Sequence, residues 1–173
     1  KDGYVVKVID NPKNPEFKLA IVTAIEKREV FYGAVDFVDD YFASAVPHNG
    51  SLRQTQDLFT KKMPDYYNAS APKIKTRSVF TWGHPINDYR EYIENMARLR
   101  LNQLIIWNDY APVNAKDIVD YAHSFGIKII WGYAWGWSTN CAKFSLDTLP
   151  ELSRSVLDKY EREYADIGGD GIY

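Results

Sequence analysis

One cysteine, two methionines and three histidines are all that the 173 residues hold of those types. Cys141 alone cannot build an internal disulfide framework or a cysteine-rich metal site, and it reads as a lone buried thiol. No His/Cys/carboxylate spacing has the pattern of metal ligands, so neither a metal nor a cofactor is expected. No apolar run approaches the roughly 18 residues of a membrane span, and the chain opens on Lys1-Asp2-Gly3 rather than on a signal peptide. Charge of one sign is lacking too: 21 basic against 23 acidic side chains leave a formal net charge of −2. Such a balance gives no reason to expect nucleic acid or an anionic membrane as partner, and it suits a neutral ligand.

What the sequence has in quantity is aromatic residues, 15% of the chain, with 5 Trp and 13 Tyr. Several stand directly after apolar runs, where sheet proteins place their ligand-binding loops. The N-terminal part reads as a small α+β unit. Tyr4 to Ile9 and Phe17 to Ile25 are two strands separated by Asn11-Pro12-Lys13-Asn14-Pro15, whose residues force a connection. Tyr32 to Val46 has Val35, Val38, Phe42 and Ala45 on one helical face, with Asp36, Asp39 and Asp40 on the solvated side. Leu52 to Lys75 reads as one or two short strands, hinted at by Leu58 and Phe59, and then a linker.

From Thr76 the texture changes to short apolar runs alternating with helical stretches, the pattern of a parallel sheet with crossover helices. Strands are expected at Ser78–Trp82, Gln103–Trp107, Ile127–Trp131 and from Gly169. Helices are expected from Asn87 or Asp88 to Leu99, from Asn114 to Phe125, and from about Leu149 to Tyr164. In the first the inward residues are Tyr92, Ile93, Met96 and Leu99; in the second, Ile118, Val119 and Ala122. Strands without alternation are expected to be buried on both faces. The spacing suits a barrel or an open sheet. The fold class is therefore α/β: a small α+β accessory domain at 1–75, then at 76–173 about four strands of an incomplete (β/α)8 TIM barrel. A last strand with an uncovered edge is expected of a truncated chain.

In such a fold the ligand sits at the carboxyl ends of the strands. Trp82, Gly83 and His84 follow the first strand, Trp107, Asn108, Asp109 and Tyr110 the second, and Tyr133, Trp135, Gly136 and Trp137 the third. A sugar needs a ring face for its C–H surface and convergent hydrogen bonds for its hydroxyls, and these positions offer both. Each has a plainer alternative. Trp131 closes an apolar run and reads as packing; Asp109 can satisfy a loop amide, and His84 before Pro85 can serve a turn. His123, mid-helix, reads as structural, and His48 in a loop is uninformative. Glycoside hydrolysis takes an acid of raised pKa plus a second carboxylate or the substrate's own acetamido group, and no such convergent pair is visible. Asp170 enters near the start of the fourth strand, away from the catalytic end. The catalytic residues are thus unknown, with the acid expected beyond Tyr173 and this piece inactive by itself.

Several segments resemble the family 20 hexosaminidases and related barrel hydrolases, including the α-glucuronidases and the family 84 enzymes. Glu29-Val30-Phe31-Tyr32-Gly33-Ala34-Val35 looks like the Gly-x-x-Tyr-Gly pattern opening the helix of their accessory domain, without its first glycine. Pro72 to Ser78 looks like the linker that brings an arginine into strand one, with Ser78 where those enzymes have glycine, and Ala97 to Asn102 is similar to their passage into strand two. The resemblance implies a glycoside hydrolase acting on oligo- or polysaccharide, a periplasmic or secreted setting, and a role for Arg77 in contacting substrate hydroxyls. Gly168-Gly169-Asp170-Gly171 resembles the family's Gly-Gly-Asp-Glu lettering with Gly171 in place of the catalytic glutamate, so hexosaminidase activity is not assigned. The expected substrate-binding set is Arg77, Trp82, His84, Trp107, Asp109, Tyr110, Trp135 and Trp137. A non-catalytic carbohydrate-binding or interaction module with a barrel-like core is the alternative, and a different barrel enzyme is a third possibility because the fold hosts many chemistries.

Overall fold

The computed structural model describes residues 3–43, 63, 65–83, 85–108, 110–133 and 145–173. The chain divides into two compact units, Lys1–Lys75 and Thr76–Tyr173. Leu58 and Phe59, the expected strand of the first unit, lie outside the described residues, as do residues 44–46, the end of the expected first helix.

In the first unit, strand β1 (Tyr4–Asp10) pairs antiparallel with β2 (Lys18–Ala24) on one side and β3 (Tyr67–Ser70) on the other. The connection from β1 to β2 is shaped by its asparagines: Asn11 Oδ1 accepts from the Lys13 amide at 2.9 Å and Asn14 Oδ1 from the Glu16 amide at 3.1 Å, the local bonding that favours turns over strand. Helix α1 (Lys27–Ala43) covers one face of the sheet and begins five residues earlier than its apolar pattern predicts. Among the positions whose burial is described, Glu29, Tyr32 and Gly33 are buried, while Val38 is exposed. The reason is a polar anchor: Glu29, only 2% exposed, accepts the Gly3 amide at 2.9 Å, which turns the helix so that Tyr32 enters the core with Tyr4 and Val6. A Cβ on Gly33 would lie 2.7 Å from Val22 and 2.9 Å from the Tyr4 ring, so the glycine lets helix and sheet approach closely. Asp40, expected to be merely solvated, accepts from the Tyr66 hydroxyl at 2.5 Å.

The second unit alternates strand and helix: β4 (Ser78–Trp82), α2 (Tyr89–Arg98), β5 (Gln103–Trp107), α3 (Ala115–Ser124), β6 (Lys128–Gly132), α4 (Leu149–Glu163) and β7 (Gly171–Ile172). The four strands among the described residues are parallel, in the order β4-β5-β6-β7. That order lacks the reversal that defines a doubly wound sheet. Asp88 caps α2 by accepting the Glu91 amide at 3.0 Å, and α3 stops at Gly126, whose φ of 69° is left-handed. Ile93 and Met96 of α2 and Ile118, Val119 and Ala122 of α3 are buried, as expected. Leu99 is exposed instead, because it is the C-cap and the chain leaves the helix through Arg100 at φ 61°.

The strands correct one expectation. They are not buried on both faces: Leu104, Ile106, Ile129 and Trp131 are buried on the helix side, whereas Phe80, Ile105 and Ile130, aligned in register, lie on a more open face. Continuous apolar sequence therefore conceals a clear alternation of environment. At the amino ends of the strands, buried Asn102 ties three segments together, its side chain accepting the Arg77 amide at 2.8 Å and its carbonyl the Lys128 amide at 3.0 Å. Asp170, just before β7, accepts the Ile129 amide at 2.9 Å and meets His123 Nε2 at 2.9 Å. It fastens β7 to β6 and α3, a structural role for both residues.

Tyr133 follows β6 and turns to the helix side. It is buried, stacks on Tyr164 at 5.0 Å, and donates to the Val156 carbonyl at 3.0 Å. Burial, then the charges of Glu163 and Tyr160, push its phenol up from the ordinary tyrosine value. An acid whose folded-state pKa is raised contributes stability that is complete below its unfolded pKa of about 10 and is lost as pH rises through the folded value. Denaturation midpoints measured across alkaline pH should fall once pH passes about 10, and Tyr133→Phe should flatten that fall; an unchanged alkaline profile would show that the Tyr133 phenol does not contribute.

Candidate functional site

Trp82 and Trp107 are the last residues of β4 and β5 and are partners in register, so the pleat sends both side chains to the same, open face. Their ring centroids are 6.0 Å apart at an interplanar angle of 39°. Phe80, two residues before Trp82, shares that face and lies 6.1 Å from Trp107. Tyr173 joins from the opposite edge of the sheet, directly after β7, 5.4 Å from Phe80 and 5.7 Å from Trp107. Four aromatic rings thus form one shelf at the carboxyl ends of the strands.

The shelf is concave, as the distances show. β4 and β7 are separated by two strands, which in a flat sheet would place them about 14 Å apart. Rings from the first strand and from the residue after the fourth can come within 5.4 Å only if the sheet curls toward this face as well as letting side chains lean. Gly132, the register partner of Trp107, makes room for the central indole: a Cβ there would meet Trp107 Cε3 at 2.8 Å. The rings are only partly covered, Phe80 being 41% and Trp82 65% exposed.

No charged residue occupies the strand positions on the shelf's face between Phe80 and Gly132; the nearest on that face, Lys128, opens β6 at the amino end. An uncharged concave surface of ring faces can pack against the C–H surface of a sugar or another flat, weakly polar ligand. Asn108 lies just beyond Trp107, its amide bonded to the Gly132 carbonyl at 3.2 Å, and its side chain is hydrogen-bonded to Tyr89. Burial pushes the Tyr89 phenol up, and that bond from Asn108 partly offsets the push.

Of the residues expected to bind substrate, the structure brings Trp82 and Trp107 together. Arg77 lies at the other end of β4, before its first residue, with Nε donating to the Arg100 carbonyl at 2.5 Å. The amino end of β4 is a strand length from Trp82, so the structure does not bring Arg77 together with the two tryptophans. Tyr110 is 79% exposed and forms no ring contact with the shelf. His84, Asp109, Trp135 and Trp137 lie outside the described residues. Phe80 and Tyr173 were not foreseen; the i, i+2 spacing of Phe80 and Trp82 on one strand was the available signal for the first. Among the described residues no group of His, Cys, Asp and Glu is placed to hold a metal ion, and no helix is long and apolar enough to cross a membrane.

No protein family and no curated protein matches the chain. Among solved structures it is similar to one described as the crystal structure of a beta-N-acetylhexosaminidase, with a TM-score of 0.46 and 16% identity over 78% of this chain and 33% of that chain. The chain thus spans about a third of that protein's length.

Proposed function

We propose that the second unit carries the sugar-binding face of a carbohydrate-active protein, and in finer terms that it is the opening part of a (β/α)8 glycoside hydrolase with the first unit as its accessory domain. The observation that carries this reading is the concave, uncharged shelf of Phe80, Trp82, Trp107 and Tyr173 at the carboxyl ends of parallel strands. Carboxyl strand ends are where βα folds bind their ligands. The sequential strand order with helices packed on one face supports the same architecture, because a barrel keeps its helices outside and its inner face free. In this reading Trp135 and Trp137 add ring faces from the β6–α4 connection, while His84, Asp109 and Tyr110 supply hydrogen bonds from the other two. Hydrolysis needs an acid of raised pKa with a second carboxylate or the substrate's own acetamido group, and in this reading the acid comes from outside the described residues.

Titrating the chain with neutral oligosaccharides while following tryptophan fluorescence tests the binding claim. Saturable change with a sugar and none with a matched polyol is the expected result; no response to any glycan, from a folded sample, would remove the reading. The binding-module reading is favoured by one observation, that the shelf's own strand positions hold no carboxylate. Turnover of aryl glycosides by the longest natural form of the protein separates the two.

A further inference from the structure

A second concavity, of about 440 Å³, opens between the first turns of α2 and α3 and the connections that lead into them. None of the shelf's rings lines it. Its floor includes Ile93 and Ile118, both buried, and its walls carry Asp88, Arg90, Asn114 and Asp117. Asp88 is committed to the Glu91 amide as the cap of α2, whereas the other three bond little among the described residues. The Arg90 guanidinium lies 4.8 Å over the Tyr121 ring and forms no ion pair with a described residue. Tyr121 is itself held by donating to Glu94 at 2.6 Å, so Arg90 rests on a held platform with its planar fork of N–H donors not taken up by any described carboxylate. Asn114 stands at the N-cap of α3 without making a side-chain cap bond, and Asp117 has no ion-pair partner among the described residues.

Two carboxylates beside one guanidinium disfavour a phosphate or a sugar acid, and the guanidinium disfavours an amine. Donors and acceptors around an apolar floor match groups that donate and accept at once, which is to say hydroxyls on a ring. The volume lies in the lower part of the range for small-ligand sites. From this geometry we infer that the cleft between α2 and α3 is a second carbohydrate site, taking a neutral mono- or disaccharide, with Arg90 and Asp117 as its donor and acceptor. The choice of a sugar as ligand rests on the reading of the shelf; the donor and acceptor arrangement does not.

The experiment is a titration of the isotope-labelled 173-residue chain, observed by amide and indole NMR, with glucose, N-acetylglucosamine, cellobiose and chitobiose. Inorganic phosphate and ethanolamine serve as anionic and cationic controls. One of the sugars should shift the amides of Asn108 and of residues 114–118 saturably. Arg90→Met, which keeps a stem against Tyr121 while removing the donors, and Asp117→Ala should each weaken that response at least about tenfold, with indole shifts at Trp82 and Trp107 retained and amides remote from the cleft unmoved. Cleft amides that stay still with every sugar, that respond equally in both variants, or that respond better to phosphate or ethanolamine would overturn the inference. Indole shifts without cleft shifts sink the cleft alone; cleft shifts without indole shifts sink the shelf alone.

Discussion

Trp131→Ala is expected to cost the second unit about 3–5 kcal/mol, the range for truncating a large aromatic in a packed core. The side chain is 1% exposed, its ring lies 5.7 Å from that of Tyr164, and Nε1 donates to the Gly168 carbonyl at 2.8 Å. Truncation therefore removes apolar burial, opens a cavity between β6 and the chain that follows α4, and leaves a carbonyl short of a donor. Gly169 is fitted to the indole: at φ 137° it admits a backbone approach in which a Cβ would lie 2.7 Å from Nε1. Because small domains have only about 5–15 kcal/mol of stability in total, chemical denaturation should show a midpoint displaced far toward low denaturant or no folded baseline. Trp82→Ala is the control, since Trp82 is 65% exposed and loses little burial on truncation. Equal losses in the two variants would contradict the division of the sheet into a packed and an open face.

That division was only partly legible in the sequence. The strands Ser78–Trp82 and Gln103–Trp107 fall where the apolar runs place them, because turn-forming or charged residues bound each run on both sides. Ile127–Trp131 is displaced by one residue to Lys128–Gly132. The packing role of Trp131 could be read from its place inside an apolar run. Which tryptophans share a face could not, because the face depends on parallel register, and parallel strands leave no mark of their pairing in the sequence. Tyr173 shows the same limit: its place beside Phe80 depends on the curl of the whole sheet.

Helix α1 shows a different kind of concealment. Apolar periodicity starts the helix at Tyr32, yet Lys27 to Phe31 are helical as well, and charged residues such as Lys27, Arg28 and Glu29 are no obstacle to a helix. The face is set by buried Glu29, which an apolar template scores as solvent-facing. Arg77 is placed by local bonding: its hydrogen bonds with Asn102 and Arg100 hold it at the amino ends of the strands. Its position before the first residue of a strand was evidence enough to place it there.

The second large effect concerns Trp107, which is expected to lose sugar affinity by tenfold or more when changed to alanine. It contacts Phe80, Trp82 and Tyr173 at once, so its removal opens the middle of the shelf rather than an edge. Aromatic pairs add about 0.5–1.5 kcal/mol each beyond their area, and a lost ring face for the ligand comes on top of that. Affinity measured by calorimetry or fluorescence in the presence of the remaining tryptophans reads the effect. Gly132→Val gives an independent check, because it removes no aromatic residue while its Cβ pushes into space now held by Trp107. If the orientation of the central indole is what a sugar recognises, both variants bind poorly and the glycine variant shows altered tryptophan fluorescence even without ligand. Should Gly132→Val shift that fluorescence and leave sugar affinity intact, the ring is not a binding surface, and the shelf is only the inner packing of the sheet.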